Sequence, residues 1–191
     1  VSCKVSGSWT SQTLSGSVSA VEDAKFCDIN SDGVPDVVGA GQSGRMSWWQ
    51  GAVVGSAAPT FGAAIPINAA YAASNAWIQI ACTTGRLWAG GRNVPATVGY
   101  FDIPATPTDS TAWTYTSVGR VGWTMSLIPI DMDGDTDLDL VISDRISDSG
   151  NPGKVGARWL EDNGTSSWTN HEIHKTASGE GAAKFLHVSR T

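Results

Sequence analysis

Cysteine is scarce in this chain, with three residues (Cys3, Cys27 and Cys82) in 191. That excludes a fold held by a disulfide framework, and the odd number allows at most one intrachain bridge. One such bridge and buried free thiols in a β protein both fit the count. Charge is scarce too, and basic charge scarcest: 12 Lys and Arg, in no run, against 18 Asp and Glu, for a net charge of −6. Nucleic acid is thereby excluded as a partner, because its binding rests on patches that neutralise phosphates. No apolar stretch approaches the ~20 residues needed to span a bilayer. No signal-peptide pattern is visible. No segment keeps a 3.6-residue apolar period, so no substantial helix is predicted. The chain opens on Val1 rather than Met, which predicts a processed form or a segment of a longer chain.

What is present is glycine, tryptophan and two short acidic stretches. Asp28, Asn30, Asp32 and Asp36 alternate with other residues just before an apolar strand, and Asp131, Asp133, Asp135 and Asp139 do the same. Each stretch puts oxygen side chains at loop positions one, three, five and nine. The residue at position seven, Val34 or Asp137, would add its backbone carbonyl. A tight loop that turns every second side chain inward makes a cage for a hard cation. Ca²⁺, which takes about six to eight oxygens, is the expected ion, with two sites. Gly33 suits the sharp turn at position six; Thr136 stands there in the second loop and is expected to strain it. Neither loop is an EF-hand, since position twelve is Gly39 or Ile142 rather than Glu. No His or Glu is placed to activate a metal-bound water. The ions are therefore expected to be structural, and no enzyme is predicted.

The two loops also reveal a repeat. Asp28 and Asp131 stand about 103 residues apart, and Trp9, Phe61 and Trp113 recur at steps of about 52, with Trp168 next. A middle copy, Trp77 to Gly91, matches Lys25 to Gly39 in length and apolar pattern but lacks the carboxylates. Trp88 stands where a ligand would be and is expected to cover the empty loop. The first copy reads as strands at about 24–28, 36–40, 45–50 and 61–67, short apolar runs bounded by Gly, Ser, Asn and Pro. Four strands per step of about 50 residues is a β-propeller blade. The predicted fold is all-β: one propeller segment with blades at about 24–67, 76–119 and 127–174. Residues 1–14 and 183–191 would belong to flanking blades. Three blades do not close a ring, so the rest of a propeller or another copy of the chain is the expected partner.

Asp131 to Val141 resembles the D-x-D-G-D-G-D-x-D-h-V calcium motif of FG-GAP/VCBS repeats, the blades of integrin-α-type β-propellers. Gly156 to Gly164, followed by Trp168 to Ile173, is similar to the W-x-E-N…W-x-x-H-x-I pattern of bacterial VCBS blades. The resemblance implies a Ca²⁺-rigidified scaffold, secreted or at the cell surface, serving adhesion, protein contact or glycan binding. It also implies a ligand face across the disc from the metal. By position that face holds the Ser15–Asp23 loop, Gln42 to Arg45, Arg92, Asn93, and Asp144 with Arg145 in the loop reaching Lys154.

Other residues admit plainer readings. The repeated aromatics Trp9, Trp113 and Trp168 read as packing between blades. Trp48 and Trp49 are adjacent on a strand, so they face opposite sides, and one is expected near a surface. His171 and His174 are expected on opposite faces and make a poor metal pair. Asp144-Arg145 reads as a local salt bridge. Asn163-Gly164-Thr165 is a formal glycosylation sequon, but Asp162-Asn163-Gly164 is also a hairpin turn. The expected function is a non-catalytic, Ca²⁺-stabilised extracellular module for binding a protein or glycan, or for assembly. The alternatives are a lectin, favoured by the tryptophans, and a propeller fragment of a polysaccharide-degrading enzyme.

Overall fold

A computed structural model of the chain describes residues 11–16, 18–53, 59–68, 70, 75–93, 95–145 and 155–176. The elements described in full are twelve strands, which form three four-stranded antiparallel sheets in chain order. The first sheet holds β1 (Val21–Cys27), β2 (Asp36–Gly41), β3 (Met46–Ala52) and β4 (Thr60–Ile67). The second holds β5 (Trp77–Thr83), β6 (Arg86–Gly91), β7 (Ala96–Asp102) and β8 (Thr114–Val121). The third holds β9 (Thr124–Ile130), β10 (Asp139–Asp144), β11 (Val155–Asp162) and β12 (Trp168–Thr176). Each sheet is a simple meander and none closes on itself. No described helix is long and apolar enough to cross a membrane.

The second strand of each sheet explains the stacking. Asp36–Gly41, Arg86–Gly91 and Asp139–Asp144 are buried along almost their whole length. Such strands need cover on both faces, which sheets laid side by side provide. The cover is close. At Gly90 a Cβ would stand 2.6 Å from the Thr124 side chain of the next sheet, so only glycine fits there. The first strands of the sheets adjoin, β1 against β5 and β5 against β9. Between the first two sheets lie Val38, Trp48, Trp77, Ile80, Leu87, Phe101 and Trp113. Between the second and third lie Trp88, Val98, Val118, Leu127, Leu140, Ile142 and Leu160. Each such side chain contributes about 1.5–3 kcal/mol by leaving water.

The first strands of the three sheets also share an irregularity. The register skips one residue near the start of β1, β5 and β9, at Glu22, Ile78 and Met125. Such a bulge bends and twists a strand, and its recurrence marks the three sheets as copies of one unit. A disulfide between Cys27 and Cys82 joins β1 to β5, so the cysteine count resolves to one bridge linking two repeats. Cys3 lies outside the described residues.

Several expectations change. The middle sheet keeps no loop for Trp88 to cover: Thr83 pairs with Arg86 across the two-residue turn Thr84-Gly85, with Gly85 at φ +76°. Trp88 lies instead wholly buried between the second and third sheets, its ring near Tyr100 and Trp168. Trp48 and Trp49 do face opposite sides, but both are buried. Trp49 donates its indole N–H to Ser15 O, and Gln12 Nε2 donates to Phe61 O, so the leading segment lies over the outer face of the first sheet. Residues 11–14 form no strand there. Residues 1–10 and 177–191, including Trp9 and the expected trailing strand, lie outside the described residues. So does the insertion at 146–154.

Candidate metal centre

The two acidic loops, 28–35 and 131–138, join the first and second strands of the first and third sheets, and the two bracketing pairs match. Cys27 faces Asp36 in one, and Ile130 faces Asp139 in the other. Backbone geometry matches as well. Position four has positive φ in both (Ser31 59°, Gly134 86°), and so has position six (Gly33 80°, Thr136 83°). Threonine is ill-suited to this region because its branched Cβ crowds the backbone. Thr136→Gly is therefore expected to stabilise the protein by about 0.5–1 kcal/mol. A denaturant midpoint that is unchanged or lowered in that variant would count against the strain.

The hydrogen bonds repeat from loop to loop. The position-five N–H donates to the position-three side chain, Asp32 to Asn30 and Asp135 to Asp133, at 3.2 Å in each. The position-seven N–H donates to the position-five carboxylate, Val34 to Asp32 at 2.8 Å and Asp137 to Asp135 at 2.9 Å. The position-nine carboxylate is fully buried and holds two backbone groups. Asp36 accepts from Ile29 N and Gly51 N, both at 2.8 Å; Asp139 accepts from Met132 N at 2.8 Å and Asp162 N at 2.9 Å. Each ties the start of its loop to the third strand of its sheet. Burial pushes the Asp36 carboxyl above its ordinary value, against the pull of these amides.

The loops differ at position one. Asp28 spends both oxygens on the Asp32 and Gly33 amides, each at 3.0 Å, and Asn30 Nδ2 donates to Asp32 Oδ2. In the second loop Asp131 accepts from Gly134 N at 2.7 Å, and Asp131, Asp133 and Asp139 each bring one oxygen within 4.8 Å of the others. Among the described residues no other such group of carboxylates forms, the first loop included. Oxygens brought this close together could hold a metal ion. The Asp135 N–H pulls the Asp133 carboxyl down, but burial and the charges of Asp135, Asp139 and Glu161 outweigh it and raise it. A bound dication relieves such crowding.

At the other end of the sheets the ligand-face candidates separate. Arg92 and Arg145 both stand over the Trp123 ring, at 5.0 and 3.9 Å. Arg45 and Asn93 are exposed, and the N–H groups of Arg92 and Asn93 both donate to Asn75 O. Asp144 does not pair with Arg145. It is fully buried and bonds Arg158, so it leaves the ligand face. The sequence signal for this pair was Arg158 itself, an arginine inside an apolar strand, which stays buried only with a partner. His171 stacks on Trp159 at 4.3 Å and bonds Glu161, and among the described residues no metal group includes it. Asn163 N donates to Ser167 O, and Gly164 has φ +67°, so the sequon is the β11–β12 turn.

Comparison with protein families, curated proteins and solved structures finds no match. The class of the protein rests on the fold and loops described above.

Proposed function

We propose that the chain is a segment of a β-propeller whose blades are fastened by Ca²⁺, a non-catalytic module for binding or assembly outside the cell. The convergence of Asp131, Asp133 and Asp139 carries this reading. Asp135 adds a carboxylate at position five, and Asp137 a carbonyl at position seven. Bound there, Ca²⁺ neutralises the crowded loop and ties β9 to β10. The first loop has the same frame, so Asp28, Asn30, Asp32, Val34 and Asp36 form a second, weaker site. It is weaker because Asp28 has both oxygens on backbone amides and the neutral Asn30 stands where the second loop has Asp133.

Three meanders in chain order with adjoining first strands support the propeller reading. The rest of such a ring would come from further chain or from another copy. The disulfide supports an oxidising, extracellular setting. An enzyme reading loses its candidate acid, since Asp144 is sealed from solvent and tied to Arg158.

Calorimetric titration with Ca²⁺ tests the proposal. Wild-type protein is expected to show saturable binding with a tighter and a weaker site, and Asp133→Asn to lose the tighter one. Titration without heat, or unchanged in the variant, rejects the metal assignment.

A further inference from the structure

A polar cavity of about 320 Å³ opens between the second and third sheets, beside the second acidic loop. Arg86 and Tyr100 line it from one sheet, and Asp137, Asp162 and Trp168 from the other, with Ser117 on β8. The walls are held in place before any ligand arrives. The Arg86 guanidinium lies 4.0 Å from the Tyr100 ring centre and pairs with Asp102 at 3.7 Å. The Trp168 ring stands edge-on to the buried Trp88 at 6.3 Å. Asp162 accepts from Gly164 N at 3.1 Å, and at Gly164 a Cβ would come within 3.2 Å of Asp137 Oδ2, so the turn and the loop form one wall.

We propose that this cavity binds one neutral sugar unit of a glycan. The proposal rests on the reading of the chain as a binding module and names its ligand. A pyranose presents neighbouring hydroxyls that both donate and accept, together with an apolar C–H face. Here a guanidinium donates, two carboxylates accept, and an indole offers apolar surface. The volume lies at the lower end of ligand sites, the scale of a single ring rather than of a peptide. Charge sets the class further. Arg86 is already matched by Asp102, so Asp137 and Asp162 leave the cavity negative and disfavour uronates, sulfates and phosphates.

The test is amide and indole NMR of the full chain in Ca²⁺, titrated with methyl glycosides of glucose, galactose, mannose, fucose and N-acetylglucosamine. At least one is expected to shift the Trp168 indole and Ser117 amide signals saturably. Arg86→Gln and Asp162→Asn are each expected to weaken that binding about tenfold or more with the melting temperature retained. Methyl glucuronide is expected to bind more weakly than methyl glucoside. If no glycoside moves those signals, or if both variants bind like wild type, the sugar site is wrong. Ca²⁺ titration of the same sample separates the two failures. Retained metal binding leaves the module reading standing, and lost metal binding removes that reading as well.

Discussion

Replacing Asp144 by alanine is expected to destabilise the protein by about 3–5 kcal/mol, the cost of breaking a buried ion pair from one side. Asp144 is fully buried at the end of β10, and Arg158 on β11 is 3% exposed. One Asp144 oxygen accepts from Gly122 N at 2.9 Å and from Arg158 Nη2; the other accepts from Gly156 N at 3.1 Å. Arg158 also donates to Arg120 O at 3.3 Å. The carboxylate therefore links the β8–β9 turn, β10 and β11. Its removal leaves a buried cation without its counter-charge and two backbone donors without acceptors.

Arg158→Met should cost less, because the orphaned carboxyl can take up a proton. Burial already raises Asp144 above its ordinary value, against the pull of Arg158 and the two amides. A carboxyl raised in the folded state favours folding most at low pH and loses that advantage as pH rises through the raised value. Arg158→Met is thus expected to be more stable in mildly acidic than in neutral solution. Urea unfolding at both pH values measures this, with the midpoint as readout and the slope as a check on two-state behaviour. A loss below about 1 kcal/mol for Asp144→Ala would mean that water reaches the pair.

The repeat was legible because each strand is a short apolar run ended by Gly, Pro or Asn. The expected strands at 36–40, 45–50 and 61–67 became Asp36–Gly41, Met46–Ala52 and Thr60–Ile67. What stayed hidden has specific causes. Matching the middle copy residue for residue assumed equal loops, whereas Thr84-Gly85 replaces an eight-residue loop with a two-residue turn. A bulge adds one residue inside a strand and leaves no mark in composition, so Glu22, Ile78 and Met125 gave no warning. Asp144 and Arg145 read as a pair because they are adjacent, yet β10 ends between them: Asp144 meets the buried Arg158, and Arg145 lies over the Trp123 ring. Arg158, which Asp144 does meet, comes after the long insertion before β11.

The candidate metal site was legible in its alternating oxygens and in Gly33 and Gly134. The strain at Thr136 was legible too, since Gly33 holds the same position in the first loop, whereas the positive φ of Ser31 shows only when its loop is laid on Gly134 of the second. The double duty of Asp36 and Asp139 was hidden too. A position-nine carboxylate reads as a ligand, and only the folded chain shows it holding the third strand.

Loss of Ca²⁺ is expected to lower the melting temperature by about 5–10 °C. An ion about 100-fold above its dissociation constant stabilises the state that binds it by about 2.7 kcal/mol. For a chain of this size each kcal/mol moves the midpoint by about 2–4 °C. The effect arises at one corner of the third sheet. There Asp131, Asp133 and Asp139 converge, and a bound dication offsets the negative charge they bring together. An unfolded chain separates these charges, so the ion favours the folded state alone.

The measurement that tests this most directly is thermal unfolding of wild type and Asp133→Asn, each in Ca²⁺ and in EDTA. Wild type should melt several degrees higher in Ca²⁺, and Asp133→Asn should keep little of that difference. Superimposable wild-type curves in Ca²⁺ and EDTA would contradict a Ca²⁺-fastened fold.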